Sequence, residues 1–176
     1  TAGLTVVDVE ELSSHGGSLR VHARHSDHAG EPSANVKSVL EAEAEAGLHT
    51  VEGHKGFAEA VFQVKRELVE FLLTARAEGK TVVGYGAPGK GNTLLNHAGI
   101  RSDLLAYTVD RNPHKQGMFL PGTHIPIHDP ARIAADKPDY VLVLPWNLRT
   151  EIGNQLAYVR EWGGRLVFPI PHLDVV

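Results

Sequence analysis

Apolar and polar side chains alternate along residues 4–12 (Leu-Thr-Val-Val-Asp-Val-Glu-Glu-Leu) and, less strictly, along 18–25 (Ser-Leu-Arg-Val-His-Ala-Arg-His). Ser13-Ser14-His15-Gly16-Gly17 separates the two runs. Period-two segments flanking a Ser/Gly cluster predict two strands joined as a hairpin. A polar loop from Asp27 to Pro32 follows, and Pro32-Ser33 opens a helical run with Val36, Val39 and Leu40 on one face, stopped at Gly47. From Phe57 the apolar positions Phe57, Val61, Val64, Leu68, Phe71, Leu72 and Ala75 recur at intervals of three and four, the stripe of a long helix that Gly79 terminates.

Beyond Gly79 the pattern becomes short apolar strand, glycine- or proline-marked loop, helix, repeated to the end of the chain, which is the alternation of a parallel sheet with crossover helices. Strands are expected at 81–85, 104–110, 124–127, 140–144 and 165–168. Tyr140-Val141-Leu142-Val143-Leu144 is unbroken, as in a central strand covered on both faces. A final helix carries Leu148, Ile152, Leu156 and Val159 inward, beginning at an Asn147 cap and ending at Gly163-Gly164. The predicted fold is α/β: a Rossmann-like open parallel sheet of order 3-2-1-4-5 with helices on both faces, preceded by a β-hairpin and a helical segment. No internal repeat or low-complexity segment interrupts it, and a domain boundary falls in the loop at 26–33, giving segments 1–32 and 33–176.

Composition narrows the function classes. With 176 residues the chain has material for one core and an appendage. Its formal net charge is −4 and its 17 basic residues are scattered, so neither nucleic acid nor an anionic membrane surface is an expected partner. No apolar run approaches the ~20 residues needed to cross a bilayer. Thr1-Ala2-Gly3 lacks the features of a secretory leader, which makes the expected setting cytoplasmic. The absence of cysteine excludes disulfides and thiolate metal sites within these residues. The histidines show no paired metal-ligand spacing, so no metal site is expected here.

Gly84-Tyr85-Gly86-Ala87-Pro88-Gly89 follows an apolar strand and precedes a helix starting near Lys90. In that context the G-x-G-x-x-G spacing lets backbone N–H groups approach an anion at the start of a helix. The overlapping G-x-x-x-x-G-K reading ends in Gly91, which has no hydroxyl for magnesium, so an ATP-type phosphate loop is excluded. Asp110, at the end of the second strand, stands where a dinucleotide fold holds a ribose, which keeps an NAD-dependent oxidoreductase or NAD-binding domain open as the alternative. The polar run Arg111 to Gly117 suits a different diphosphate ligand equally. Close helix–strand packing alone also explains glycines at such positions.

Two strings, 84–96 (Gly-Tyr-Gly-Ala-Pro-Gly-Lys-Gly-Asn-Thr-Leu-Leu-Asn) and 107–117 (Tyr-Thr-Val-Asp-Arg-Asn-Pro-His-Lys-Gln-Gly), resemble the C-terminal domain of S-adenosylmethionine-dependent sugar C-methyltransferases. Leu120 to Ile127 and Leu144-Pro145-Trp146-Asn147-Leu148 extend the resemblance, and Ser14-His15-Gly16-Gly17-Ser18-Leu19-Arg20 resembles the segment that closes their middle domain. The resemblance implies a zinc domain first, a methyltransferase domain second and this domain last, so that residues 1–32 are a remnant of the preceding domain. It further implies a nucleotide-linked 4-keto-deoxysugar, commonly of the thymidine type and bound for an antibiotic, methylated on a carbon beside its ketone. The zinc cysteines, the S-adenosylmethionine motif and the Tyr-x-Glu-His base region of that family are absent from these 176 residues. The fragment alone is therefore expected to be inactive.

Ligands of an open parallel sheet settle at the carboxyl ends of its strands. The expected substrate-binding residues are Tyr85, Gly86, Ala87, Pro88, Gly89, Lys90, Gly91 and Asn92 after the first strand. Asp110, Arg111 and Lys115 follow the second, His124 sits in the loop before the third, and Trp146 and Asn147 follow the fourth. Lys90 is the expected counter-charge, and Tyr85 or Trp146 the aromatic surface. His15 is the one catalytic candidate, the main base being expected elsewhere.

Overall fold

The structure, a computed structural model, describes residues 2–176; Thr1, part of the leader reading above, lies outside the described residues. Two compact units divide the chain, one running up to Ala58 and the other Glu59–Val176. The sequence-derived boundary at 32/33 lies inside the first unit, because the helix after it packs on the hairpin.

In the first unit β1 (Leu4–Leu12) and β2 (Ser18–His25) pair antiparallel, with the bounds the alternation predicts. Val9 faces Val21 across the ladder, and the register shifts between Val6 and Asp8. α1 (Ala34–Glu45) packs against β1. The Asp8 carboxylate accepts from the side chains of Ser33 and Asn35, fixing the helix entry. Gly47 ends the helical run at φ +70°. Val9 is buried, yet Leu19 and Val21 on β2 are 50% and 55% exposed, so this face of the hairpin is only half covered within its own unit.

In the second unit a six-stranded sheet runs β5-β4-β3-β6-β7-β8. β3 is Val82–Tyr85, β4 Thr108–Val109, β5 Ile127–His128, β6 Tyr140–Val143, β7 Arg165–Phe168 and β8 Asp174–Val175. The first five in that order are mutually parallel and β8 is antiparallel to β7. Numbered from β3, the parallel strands stand in the expected order 3-2-1-4-5, and β8 is an addition the sequence did not announce.

Alternation along the strands sends neighbours to opposite faces. Val82, Leu142 and Val167 join Leu68 and Leu72 of α2 (Phe57–Ala77) and Leu95 of α3 (Gly89–Ala98) in one core layer. Val83, Val141 and Leu166 join Ile133 of α4 (Ala131–Asp136) and Ile152 of α5 (Arg149–Gln155) in the other. Each fully buried side chain of this kind contributes about 1.5–3 kcal/mol. At the amino edge the Asp139 carboxylate accepts from Thr81 N–H (2.8 Å), Thr81 Oγ1 (3.0 Å) and Lys80 Nζ (2.9 Å), joining the starts of β3 and β6.

Four expectations are corrected. The strand at 124–127 becomes Ile127–His128, because the residues before it belong to the loop that pairs Leu120 with Ile125. The strand at 104–110 contracts to Thr108–Val109, because Leu105 is buried in the core from a loop position rather than from a ladder. The last helix is not continuous: 3₁₀ turns at Trp146–Leu148 and Ala157–Trp162 flank α5, and Asn147 is not its cap. Phe57, placed on the buried stripe of α2, is exposed, and so is Leu148, placed on the inward face of the last helix.

Candidate functional site

β3 ends at Tyr85, the chain turns through Gly86-Ala87-Pro88, and α3 begins at Gly89. The strand–turn–helix expected from the glycine spacing is present, at the carboxyl edge of the sheet. Gly86 has φ +87°, and a Cβ on it would lie 2.6 Å from Pro145 Cδ. A Cβ on Gly91 would lie 2.7 Å from Leu144 Cβ, and one on Gly84 2.6 Å from Thr108 Oγ1. These three glycines are thus required by close packing. At Gly89 a Cβ would meet nothing within 4 Å.

The backbone amides of the turn divide into two groups. Gly86 N–H donates to Val109 O (2.6 Å) and Ala87 N–H to Asp110 Oδ2 (2.8 Å), so both are used inside the protein. α3 has no side-chain cap, and its first intrahelical bond is Asn92 N–H to Pro88 O (3.0 Å). The N–H groups of Gly89, Lys90 and Gly91 are therefore the orphan donors of this helix start, and they carry its positive dipole end.

Asp110 lies at the end of β4, as expected, but its carboxylate is occupied. Oδ1 accepts from Asn112 N–H (2.8 Å), and Oδ2 accepts from Ala87 N–H and from Lys115 Nζ (3.2 Å). Lys115 Nζ donates as well to Ala87 O (3.0 Å). Asp110 and Lys115 together tie the loop after β4 to the turn after β3. Lys90 donates to Asn147 Oδ1, and its ammonium stands 5.2 Å from the Trp146 ring centroid. Lys90, Trp146 and Asn147 are thereby brought together on the other side of the turn. Asn147 serves the lysine there in place of capping the helix. Tyr85 is buried, donates to Gln155 Oε1 (3.1 Å), and is pushed up from the ordinary phenol range by that burial.

Two candidates stand apart. His124 precedes β5, at the amino end of that strand, with φ +57° and its N–H donating to Leu120 O (3.0 Å). It is not at the carboxyl edge with the others. His15 is exposed in the hairpin turn of the first unit at φ +57°.

Clefts open around the turn. One of about 260 Å³ is lined by Ala87, Pro88, Gly89, Asn92, Met118 and Phe119, among others. A second, of about 170 Å³, lies between Gly86, Arg111, Pro145 and Glu151, and a third, of about 370 Å³, between Arg111, Gln116, Tyr158 and Gln155. Glu151, Gln155, Met118 and Phe119 escaped the sequence reading. The apolar run Met118-Phe119-Leu120 after a polar stretch was a visible signal, whereas nothing in the last helix marks Gln155. Among the described residues no group of three or more His, Asp or Glu side chains can hold a metal ion, and no helix is long and apolar enough to cross a membrane.

Comparison with known proteins adds a family. Residues 13–171 match the family described as C-methyltransferase C-terminal domain. The C-methyltransferase NovU of Streptomyces niveus is 38% identical over 176 residues, covering 99% of this chain and 41% of that protein. The chain thus spans less than half the length of that curated relative. Among solved structures, the UDP-D-quinovosamine 4-dehydrogenase from Vibrio fischeri gives a TM-score of 0.39 at 19% identity, over 55% of this chain and 93% of that one.

Proposed function

The chain belongs to the family of C-methyltransferase C-terminal domains, and from that membership we propose that it is the substrate-holding domain of a sugar C-methyltransferase. Its ligand is a nucleotide-linked 4-keto-deoxysugar, thymidine-type, whose carbon beside the ketone receives a methyl group from S-adenosylmethionine. That methyl donor and a structural zinc belong to domains other than this one, since these residues include neither a donor-binding motif nor a cysteine. No step of the transfer is assigned to this chain, which on its own moves no methyl group. Residues 1–32, together with the helix α1 that packs on them, act as the closing piece of the methyltransferase domain, the partner of the second unit. The half-covered face carrying Leu19 and Val21 supports that role.

The observation that carries the proposal is the uncapped start of α3, whose Lys90 has no carboxylate partner among the described residues. Lys90 is held by a neutral amide, and Arg111 makes no ion pair. Orphan amides, a helix dipole and the Lys90 charge at one helix start suit a diphosphate, with Arg111 lining the cleft beside Gly86. Asp110 and Lys115, by contrast, neutralise each other, so they act by fixing the turn and not by clasping the sugar. The same occupancy leaves the NAD alternative without a free carboxylate for its ribose.

Thermal unfolding with thymidine diphosphate tests this reading. A ligand that binds only the folded chain raises Tm by an amount that grows with its concentration. A rise with thymidine diphosphate and none with NADH supports the proposal. The reverse result overturns it in favour of a dinucleotide domain.

A further inference from the structure

Met118 and Phe119 are each 60% exposed, two large apolar side chains side by side in a loop whose other large apolar residues, Leu120 and Ile125, are buried. The loop is not slack. Gly117 N–H donates to Ile127 O, Ile127 N–H to Met118 O and Leu120 N–H to Ile125 O, each at 2.8 Å, and Met118 N–H donates to Lys115 O at 3.1 Å. The pair is held on a fixed backbone, so its exposure is a built feature and not a result of chain freedom.

Asn92 supplies the polar side of the same cleft. Its N–H is used by Pro88 O and its carbonyl by Asn96 Nδ2, but its side-chain Oδ1 is buried without a hydrogen-bond partner. A carboxamide presents an acceptor and donors in one plane, which matches a ring edge that alternates donor and acceptor. At about 260 Å³ the cleft is below the size of sites that enclose whole drug-sized ligands and suits one ring system. Gly89 belongs both to the cleft and to the first turn of α3, so a ring seated here is adjacent to the orphan amides.

From these observations we infer that the cleft is a subsite for a flat heteroaromatic ring that packs on Phe119, with Met118 at its rim and its polar edge turned to Asn92. The inference rests on the nucleotide-sugar reading above, on which the ring is the base of the nucleotide and Asn92 and Phe119 are specificity residues. Aromatic stacking holds the ring irrespective of its substituents, and the amide distinguishes one edge from another.

Calorimetric titration and backbone amide spectra of the 176-residue chain with thymidine diphosphate and with inorganic pyrophosphate test it. Thymidine diphosphate is expected to shift the amides of residues 117–120, and pyrophosphate to leave them in place. Phe119→Ala, an exposed position, is expected to weaken thymidine diphosphate about tenfold and pyrophosphate not at all. Asn92→Ala, which removes an unpartnered polar atom from a helix, is expected to weaken thymidine diphosphate about fivefold without lowering Tm. If thymidine diphosphate binds equally well to both variants, or leaves residues 117–120 unshifted, the subsite is wrong while the diphosphate reading stands. If neither compound binds the parent chain, both readings fall.

Discussion

The carboxylate of Asp110 accepts the backbone N–H of Ala87 at 2.8 Å, so the residue that follows β4 holds the turn that follows β3. A side chain read from sequence as a ligand contact is thus an internal strut. Asp110→Ala leaves the Ala87 and Asn112 amides without their acceptor and the Lys115 ammonium with Ala87 O alone. It is expected to destabilise the fold by about 1–3 kcal/mol. Urea unfolding measures this, and an unchanged midpoint would mean that the carboxylate is available to a ligand after all.

The two ends of the glycine turn differ in tolerance. Gly86→Ala forces an L side chain into φ +87° and against Pro145, and is expected to cost roughly 1–3 kcal/mol. Gly89→Ala meets open space at the first position of a helix and is expected to be neutral or stabilising by up to about 1 kcal/mol. Thermal denaturation of the pair separates a steric requirement from a mere sequence pattern.

Arg111 and Lys90 are the cations left to a diphosphate. Arg111→Ala is expected to weaken thymidine diphosphate about tenfold, equivalent to ~1.4 kcal/mol, and to make the remaining affinity less sensitive to salt. Lys115→Ala should instead lower Tm, because that ammonium braces Ala87 and Asp110. Calorimetry at two ionic strengths distinguishes the two effects.

Acid stability follows from the amino edge of the sheet. The Thr81 N–H first, and then Lys80, hold the Asp139 carboxyl below its ordinary value of 3.8. A folded-state value below the unfolded one gives stabilisation that is present above the unfolded value and is lost as pH falls through the folded one. His128 acts earlier on the same descent. Its burial disfavours the imidazolium, so stability begins to fall as pH drops through the ordinary value of 6.5. Urea midpoints measured from pH 8 to pH 3 should therefore decline, and Asp139→Asn should flatten the part below about pH 4.

Much of the architecture was legible because patterning and packing agree locally. The hairpin bounds and the long helix α2 follow from uninterrupted periodicity, and the parallel order follows from the handedness of crossovers. Legibility ended where tertiary demands override a run. Leu104 and Leu105 look like strand but face the core from a loop. Asp174–Val175 is too short to show a period and is a strand only because β7 offers an edge. At the site, the turn was readable from its glycines, whereas the use of Asp110, Lys115 and Asn147 by neighbouring groups required three-dimensional contacts that no spacing encodes.

Among the described residues no strand lies beside the outer ladder of β2 in the first unit, and such an edge invites pairing. Its chemistry is selective about the guest. Two copies of β2 meeting antiparallel about His22 would set Arg20 directly opposite Arg24, and like charges in that position repel. In that register the strand discourages its own duplicate, while a neutral or acidic strand meets no such clash.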